Sequence, residues 1–269
     1  QEFTAGKFAL QAFLGGSLTF AVAGDVPVTL ATLQGSNFKV LTQVVEETRN
    51  EVRIVARRDG TEADPVSYFK HKKRKLATSF GGGPEFFTYK FLQKLGVAPG
   101  NIEIISQKPE DMPAALAAGS VDAVSVFDPF AYFSEQRLGA QGVTFQHSTV
   151  YSELYLMTVK EETLKQDPEL APRLMRALVS ARNFIKANPV ESKAIVTRYT
   201  KLDTATVDAI WNNFVFAPAL TGKLLEYQGQ ETVWAKEKGT FTGNLVPDFK
   251  SRIVAEPLKK ADPTAVGIQ

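Results

Sequence analysis

Short apolar runs alternate, along the first third of the chain, with segments whose apolar residues recur every three or four positions. The runs at 18–22, 39–45 and 52–58 predict buried strands. The periodic segments at 8–13 and 26–33 predict helices, and each is followed by a glycine of the kind that ends helices. Helices and buried strands are therefore expected to alternate.

The middle third repeats this alternation more clearly. Strands are predicted at 76–79, 102–105 and 121–126, and helices are predicted to begin at Pro84 and Pro109. Such alternation is typical of an α/β fold, in which a mostly parallel sheet is covered by helices on both faces. Ligands of these sheets bind at the carboxyl ends of the strands. The turns that follow the strands are therefore the places to look for chemistry.

The last third becomes helical after one more predicted strand at 154–159. The helices predicted there cover 170–185, 190–199, 204–213 and 224–238. Two earlier stretches, 21–27 and 77–84, follow one plan, in which a strand end leads through glycine to a proline at the start of a helix. This similarity predicts two α/β lobes of similar build, with crossovers near 57–60 and 147–153.

The two crossovers divide the chain into a discontinuous first lobe and a continuous second lobe. The first lobe is predicted to comprise residues 1–58 and 154–269, and the second lobe residues 59–153. A chain of 269 residues is long enough to give each lobe a core of its own. Hydrophobic residues at 44% and charged residues at 22% agree with globular lobes.

Composition excludes several kinds of chemistry. The chain contains no cysteine, which excludes disulfides, thiolate metal sites and cysteine nucleophiles from these residues. His71 and His147 are the only histidines, and neither lies in a motif that a catalytic triad or a zinc site uses. We therefore expect no metal and no cofactor. A net charge of +2 gives no reason to expect nucleic acid as a partner.

The chain shows no membrane-spanning pattern, and it does not begin with methionine. Its longest apolar stretch, 12–24, has 13 residues, whereas a membrane helix needs roughly 20. The chain begins with Gln1, and its first residues show no basic region followed by an apolar region. Removal of a leader and a trimmed sequence both stay open as explanations.

A glycine-rich turn between a predicted strand and a predicted helix is the sharpest local signal. Glycines allow the backbone to approach a ligand closely, and the start of the helix directs N–H groups and positive dipole at the turn. The turn lacks the lysine of a phosphate-binding loop and the acidic residue of a dinucleotide site. Ligand binding and a tight turn at a helix start both stay open. The candidate binding residues are Ser79, Gly81, Gly82, Glu85 and Phe86.

Two further turns carry an acidic residue that is followed within two positions by a proline. The first is Gly24, Asp25, Val26 and Pro27, and the second contains Asp128. An aspartate immediately before a helix is a favoured helix cap, and capping is the preferred interpretation of Asp128. For Asp25, capping and ligand binding are more evenly matched as interpretations.

Charge in these turns bears on the ligand. If Asp25, Glu85 and Asp128 faced one cleft, they would favour a cationic or hydrogen-donating ligand group. The turns contain no arginine or lysine. The basic run Lys70–Lys75 is interpreted as a solvated loop face, and His147 as a surface loop residue.

Taken together, these segments resemble the aliphatic sulfonate, taurine and nitrate binding proteins of ABC importers. The segments that carry the resemblance are 1–6, 24–27, 81–85, 114–123 and 127–130. The resemblance implies a two-lobed periplasmic binding protein fold of type II, in which each lobe is a mostly parallel sheet flanked by helices. It also implies a hinge of two crossing strands. Members of this family bind solutes and are not enzymes.

The resemblance also implies a site and a partner. Gly24–Pro27 would line a cleft from one lobe, Ser79–Phe86 and Asp128 from the other, and Tyr151 would add to its rim. The protein would capture a small polar solute there, such as a sulfonate, taurine or nitrate, and deliver it to a membrane permease. The resemblance also implies a monomer located outside the cytoplasm. A lipid anchor ahead of Gln1 is left open.

The chain departs from this family in two respects. The family's first strand and helix have no counterpart after Gln1, and an arginine or lysine that binds the anion is not identifiable. An enzyme on the same fold, similar to thiamine-pyrimidine synthases or sulfinate desulfinases, is the alternative, and it is disfavoured by the absence of cysteine. A sensor domain that docks to a signalling partner also stays open.

Overall fold

The computed structural model describes residues 1–47, 51–62, 64–146 and 149–268. The chain divides into two compact units. Unit 1 comprises Gln1–Glu46, Glu153–Thr204 and Val215–Gln269, and unit 2 comprises Glu47–Ser152 and Ala205–Phe214. His147, predicted as a surface loop residue, lies outside the described residues.

Helices and strands alternate through both units. The helices are α1 Gly6–Leu14, α2 Asp25–Leu33, α3 Pro65–His71, α4 Gly83–Lys94, α5 Met112–Ala117, α6 Phe130–Leu138, α7 Glu161–Gln166, α8 Leu170–Ala187, α9 Pro189–Thr200, α10 Thr204–Ile210, α11 Gly222–Glu237 and α12 Glu256–Ala261. The strands are β1 Phe20–Gly24, β2 Lys39–Glu47, β3 Arg53–Arg57, β4 Arg74–Thr78, β5 Ile102–Ser106, β6 Ala123–Val126, β7 Gly142–Phe145, β8 Leu154–Val159 and β9 Phe214–Ala219. The predicted α/β class is confirmed. No helix in the described ranges is long and apolar enough to cross a membrane.

Unit 1 contains a sheet with the strand order β1-β8-β2-β9. Strand β8 runs antiparallel to both β1 and β2, and Gly24 at the end of β1 pairs with Tyr155 near the start of β8. The expected parallel arrangement does not hold for these pairs. The chain enters β8 at the edge where β1 leaves the sheet, so the two strands run in opposite directions.

The apolar core of unit 1 lies between this sheet and its helices. The fully buried side chains of Phe13, Phe38 and Leu41 form part of it, together with Leu156 of β8 and Met175 of α8. The predicted apolar face of α8 is buried only in its first half, since Phe184 near its end is 39% exposed. Helical spacing therefore predicted the helix correctly, but it overstated how much of the helix is covered.

Unit 2 contains a five-stranded sheet with the order β5-β4-β6-β3-β7. Strand β4 is parallel to β5 and β6, as predicted for strands joined through helices, whereas β3 is antiparallel to β6 and β7. The first boundary was predicted after residue 58. In the structure it lies before β3, because β3 is a strand of the unit 2 sheet. Unit 1 resumes at Glu153, whereas the sequence predicted that the first lobe resumes at 154, and Ala205–Phe214 belongs to unit 2, which the sequence did not predict.

The basic run Lys70–Lys75 does not all face solvent. Lys70 to Lys73 are exposed as predicted, but Arg74 is 2% exposed in β4. Its guanidinium lies 3.8 Å from the ring centroid of Tyr68 and donates to the Asp59 carboxylate at 2.6 Å. Interpreting the whole run as solvated is therefore wrong at Arg74, because a planar cation between a ring and a carboxylate is stable in a buried position.

Candidate functional site

The glycine-rich turn of unit 2 connects the end of β4 to the start of α4. Gly81 has a φ of 76°, a left-handed conformation that favours glycine. The Gly82 N–H donates to the Ser79 carbonyl at 3.2 Å, and the Gly81 N–H donates to Glu85 Oε2 at 2.7 Å. Glu85, in the first turn of α4, thus reaches back to the preceding backbone, as acidic residues of capping boxes do. This bond agrees with the tight-turn interpretation, while ligand binding by Glu85 stays a prediction.

Neighbouring hydroxyl groups fix the start of α4 against the sheet. The Pro84 carbonyl accepts from Thr88 Oγ1 at 2.7 Å and from Ser125 Oγ of β6 at 3.2 Å. Thr78 Oγ1 of β4 donates to the Ser125 carbonyl at 3.0 Å. These buried bonds hold the helix start in one position relative to β4 and β6, which is the rigidity that a binding turn requires.

Ser79 has the most informative side chain in this turn. The residue is 2% exposed, and among the described residues its Oγ has no hydrogen-bond partner. Burying a hydroxyl without a partner costs about 1–3 kcal/mol, so natural proteins rarely leave one in this state. The 12-residue helix α4 also leaves the N–H of its first residue, Gly83, without an acceptor inside the helix. The turn therefore offers a hydroxyl and a helix start to a polar or anionic group.

Asp128 lies within a buried hydrogen-bond network of unit 2. Its Oδ2 accepts from Arg53 Nη1 at 3.0 Å and from Asn213 Nδ2 at 2.7 Å, and its Oδ1 accepts from the Tyr132 N–H of α6 at 3.2 Å. The bond from Tyr132 serves the first turn of α6 as the predicted cap would, although Pro129 and not Asp128 occupies the cap position. Burial raises the pKa of Asp128, and the charge of Arg53 opposes that rise.

Arg53, the first residue of β3, joins Asp128 to a second carboxylate. Its Nε and Nη2 donate to the two oxygens of Glu135, each at 2.8 Å, and Thr144 Oγ1 donates to Glu135 Oε1 at 2.8 Å. Although burial alone would raise the pKa of Glu135, hydrogen bonds and charge from Arg53 hold it below its usual value. Sequence reasoning missed Arg53, and a cation at the start of an apolar strand was the available signal.

Phe86 and Tyr151, two predicted site residues of unit 2, contact each other. Their rings meet edge to face with centroids 5.2 Å apart, and both residues are buried. Such contacts stabilise an aromatic pair beyond the area it buries. Phe86 lies in the first turn of α4. The structure therefore brings Tyr151 to the start of that helix.

The predicted site residues of unit 1 lie where β1 ends and α2 begins. Gly24 is the last residue of β1 and occupies the cap position in an extended conformation, while Asp25, Val26 and Pro27 form the first turn of α2. Asp25 is therefore the first residue of α2 and not its cap, one of the two alternatives that the sequence left open, although its Oδ1 accepts the Val26 N–H at 3.0 Å. All three helix residues are buried.

Two acidic residues from elsewhere in unit 1 meet this turn, and sequence reasoning missed both. A Cβ on Gly24 would lie 1.9 Å from Glu153 Oε1, so the glycine makes room for that carboxyl group. Glu231 of α11 is hydrogen-bonded to Asp25 and accepts from Thr29 Oγ1. Burial first, and the neighbouring charge of Asp25 second, raise the pKa of Glu231 well above its usual value.

Candidate metal ligands do not form a group within the described residues of either unit. Across the described part of the chain, no set of three or more His, Cys, Asp or Glu residues has an arrangement that could hold a metal ion.

Comparison with known proteins identifies the family. The model of the NMT1-like family matches residues 1–199. The chain belongs to the NMT1-like family. A protein of Bacillus subtilis (strain 168), named as an aliphatic sulfonates-binding protein, is 24% identical over 213 residues, or 79% of this chain. This NMT1-like chain spans 63% of the length of that relative and of a Brucella abortus binding protein that is 23% identical.

Solved structures confirm the fold of this NMT1-like chain. The alkanesulfonate-binding protein SsuA of Xanthomonas axonopodis pv. citri, bound to MOPS, superposes with a TM-score of 0.77 at 18% identity, covering 95% of this chain and 86% of that one. The desulfurization enzyme DszB superposes with a TM-score of 0.64 at 13% identity, covering 92% and 86%. The expected resemblance to sulfonate-binding proteins is confirmed, while the taurine and nitrate alternatives stay predictions.

Proposed function

We propose that the protein is the solute-binding component of an ABC importer, located outside the cytoplasmic membrane, and that it captures a small sulfonate or a related oxyanion. Support comes from the names of its sulfonate-binding relatives and from the turn after β4. The observation that carries the proposal is the buried Ser79 hydroxyl, for which the described residues provide no hydrogen-bond partner.

The chemistry of the turn suits an anionic oxygen. A hydroxyl group donates one hydrogen bond, and the N-terminus of a helix carries partial positive charge together with N–H groups that lack helical acceptors. A sulfonate presents three acceptor oxygens and one negative charge. Binding by such neutral donors requires no lysine or arginine, which agrees with the absence of basic residues from Ser79–Phe86.

Ser79→Ala is expected to change stability and binding in opposite directions. Removing a buried hydroxyl that lacks a partner should raise the free energy of unfolding of the ligand-free protein by about 1 kcal/mol. Removing a donor to the ligand should weaken binding about tenfold. Urea unfolding measures the first effect, and calorimetric titration of the full chain with ethanesulfonate measures the second.

Ser120→Ala provides the matched control, because Ser120 is exposed. It should leave both quantities unchanged within about 0.5 kcal/mol. A Ser79→Ala protein that binds ethanesulfonate as tightly as the parent chain would remove this turn from the site. A large loss of stability in the same variant would show that the hydroxyl serves the fold.

The finer parts of the proposal concern partners and the extent of the site. Delivery to a permease, a monomeric state, and participation of Gly24–Pro27 and Asp128 in binding stay predictions. An enzymatic role is the alternative, since the fold is shared with DszB. Mass spectrometry of sulfonates and sulfinates incubated with the protein tests it, and we expect each compound to be recovered unchanged.

A further inference from the structure

Glu231 and Asp25 are two acidic residues in direct contact, and both are fully buried. Asp25 and Glu231 are each 0% exposed, and their side chains are hydrogen-bonded to each other. Two ionised carboxylates repel each other and have no hydrogen to share, so this contact requires one proton. The pair is therefore held together by a carboxylic acid that donates to a carboxylate.

The surroundings decide which residue carries the proton. Asp25 accepts the Val26 N–H at 3.0 Å at the start of α2, where the helix dipole favours negative charge. Glu231 lies in the second half of α11, so its own helix offers it no N-terminal dipole. Its Oε2 accepts from Thr29 Oγ1, one turn further along α2. Asp25 is therefore the carboxylate and Glu231 the acid.

We propose that Glu231 is a positioning residue, whose protonated carboxyl group donates to Asp25 and holds the Gly24–Pro27 turn in place. The Glu231 side chain contacts two points of α2, since it is hydrogen-bonded to Asp25 and its Oε2 accepts from Thr29. The same arrangement fixes the Asp25 carboxylate at the end of β1. Only the consequence for ligand binding rests on the proposed function, because the contact itself exists without a ligand.

The groups that face Glu231 are acidic. Asp25 faces it from α2, and Glu153 acts on it from the segment that leads into β8. Both charges favour the protonated form of Glu231. The Asp25–Glu231 pair is expected to lose its proton as the pH rises, which leaves two adjacent buried negative charges that repel each other. The position of the Gly24–Pro27 turn should therefore change with pH above the usual titration range of glutamate.

The Val26 amide provides a local measurement of this dependence. In the full chain labelled with ¹⁵N-valine, we expect the Val26 amide signal to titrate with its midpoint above the usual glutamate pKa. In Glu231→Gln the movement should disappear, because an amide donates to Asp25 and accepts from Thr29 at every pH. Glu226→Gln, at an exposed position on the same helix, is the control and should keep the movement.

Thr29→Val provides a second test that does not depend on Glu231→Gln folding. Loss of the Thr29 hydroxyl removes a bond that favours the ionised form of Glu231, so the midpoint should move to higher pH. A Val26 signal that does not titrate in the parent chain would overturn the proposal. An unchanged midpoint in Thr29→Val, or a titration that persists in Glu231→Gln, would do the same.

Ligand titration separates this proposal from the proposed function. If the Val26 signal titrates as expected but ethanesulfonate does not bind, the positioning role stands and the proposed function fails. If ethanesulfonate binds and its affinity falls at high pH in the parent chain but not in Glu231→Gln, both stand. Ethanesulfonate binding without any Val26 titration contradicts the positioning role alone.

Discussion

Replacing Arg53 by methionine should lower the free energy of unfolding of unit 2 by about 3–5 kcal/mol. The Arg53 side chain is 7% exposed and forms ion pairs with Asp128 at 3.0 Å and Glu135 at 2.8 Å. Methionine fills similar space but leaves both carboxylates without their cation. Urea unfolding followed by circular dichroism measures the loss.

The pH dependence of this loss tests its electrostatic origin. Arg53 holds the pKa of Glu135 below its usual value, so this group stabilises the parent protein above the unfolded-state pKa and loses that contribution as the pH falls. In Arg53→Met, protonation instead relieves an uncompensated charge. The difference between the two proteins should therefore shrink toward acidic pH.

Arg58→Met is the control for the arginine substitution. The Arg58 side chain is 50% exposed and pairs with Glu62 on the surface at 3.3 Å. Exposed pairs of this kind contribute about 0–1 kcal/mol, so the substitution should have little effect. Equal losses in Arg53→Met and Arg58→Met would show that the Arg53 network adds nothing beyond a surface ion pair.

Gly24→Ala should lower the free energy of unfolding of unit 1 by about 1–3 kcal/mol. A Cβ at this position would lie 1.9 Å from Oε1 and 3.0 Å from Cδ of Glu153, which is buried. The Glu153 side chain would have to leave its position beside Gly24. Thermal unfolding of Gly24→Ala measures the loss of stability. In a double-mutant cycle, Gly24→Ala should cost less stability in a Glu153→Ala protein than in the parent chain.

Gly229→Ala is the matched glycine control. Gly229 lies within α11, and an added Cβ would meet no atom within 4 Å. Alanine is a better helix former than glycine, so this variant should gain about 0.5–1 kcal/mol. A Gly24→Ala protein as stable as Gly229→Ala would contradict the close approach of Glu153.

Hydrophobic patterning predicted the central strands and the long helices, but it missed two strands at sheet edges. β7 and β9 occupy the outer positions of their sheets. β9 contains Pro218, and proline is tolerated at a sheet edge because one side of the strand needs no partner. Edge strands need neither a continuous apolar run nor strict alternation, so their sequences resemble loops. The direction of β8 depends on where the chain re-enters the sheet, which no local pattern encodes.

The turns that carry candidate residues were predictable, but their partners were not. Strand ends, glycines and prolines located Ser79, Asp25 and Asp128 in the sequence. Thr29 and Glu231, however, are 202 positions apart, and Arg53 and Glu135 are 82 positions apart. Such contacts arise from packing of distant elements, and a single sequence contains no record of which distant polar residues meet. The predicted solvated face at Arg74 failed for the same reason.

Thermal unfolding of the full chain with small oxyanions tests the proposed solute-binding function most directly. The panel contains methanesulfonate, ethanesulfonate, taurine and nitrate, with acetate as the carboxylate comparison. A ligand at 100 times its dissociation constant stabilises a protein by about 2.7 kcal/mol, which corresponds to a rise in Tm of about 5–10 °C for a chain of this size. We expect a sulfonate to produce this rise, and Ser79→Ala to reduce it. A folded chain that no member of the panel stabilises, or a rise of equal size in Ser79→Ala, would contradict the account.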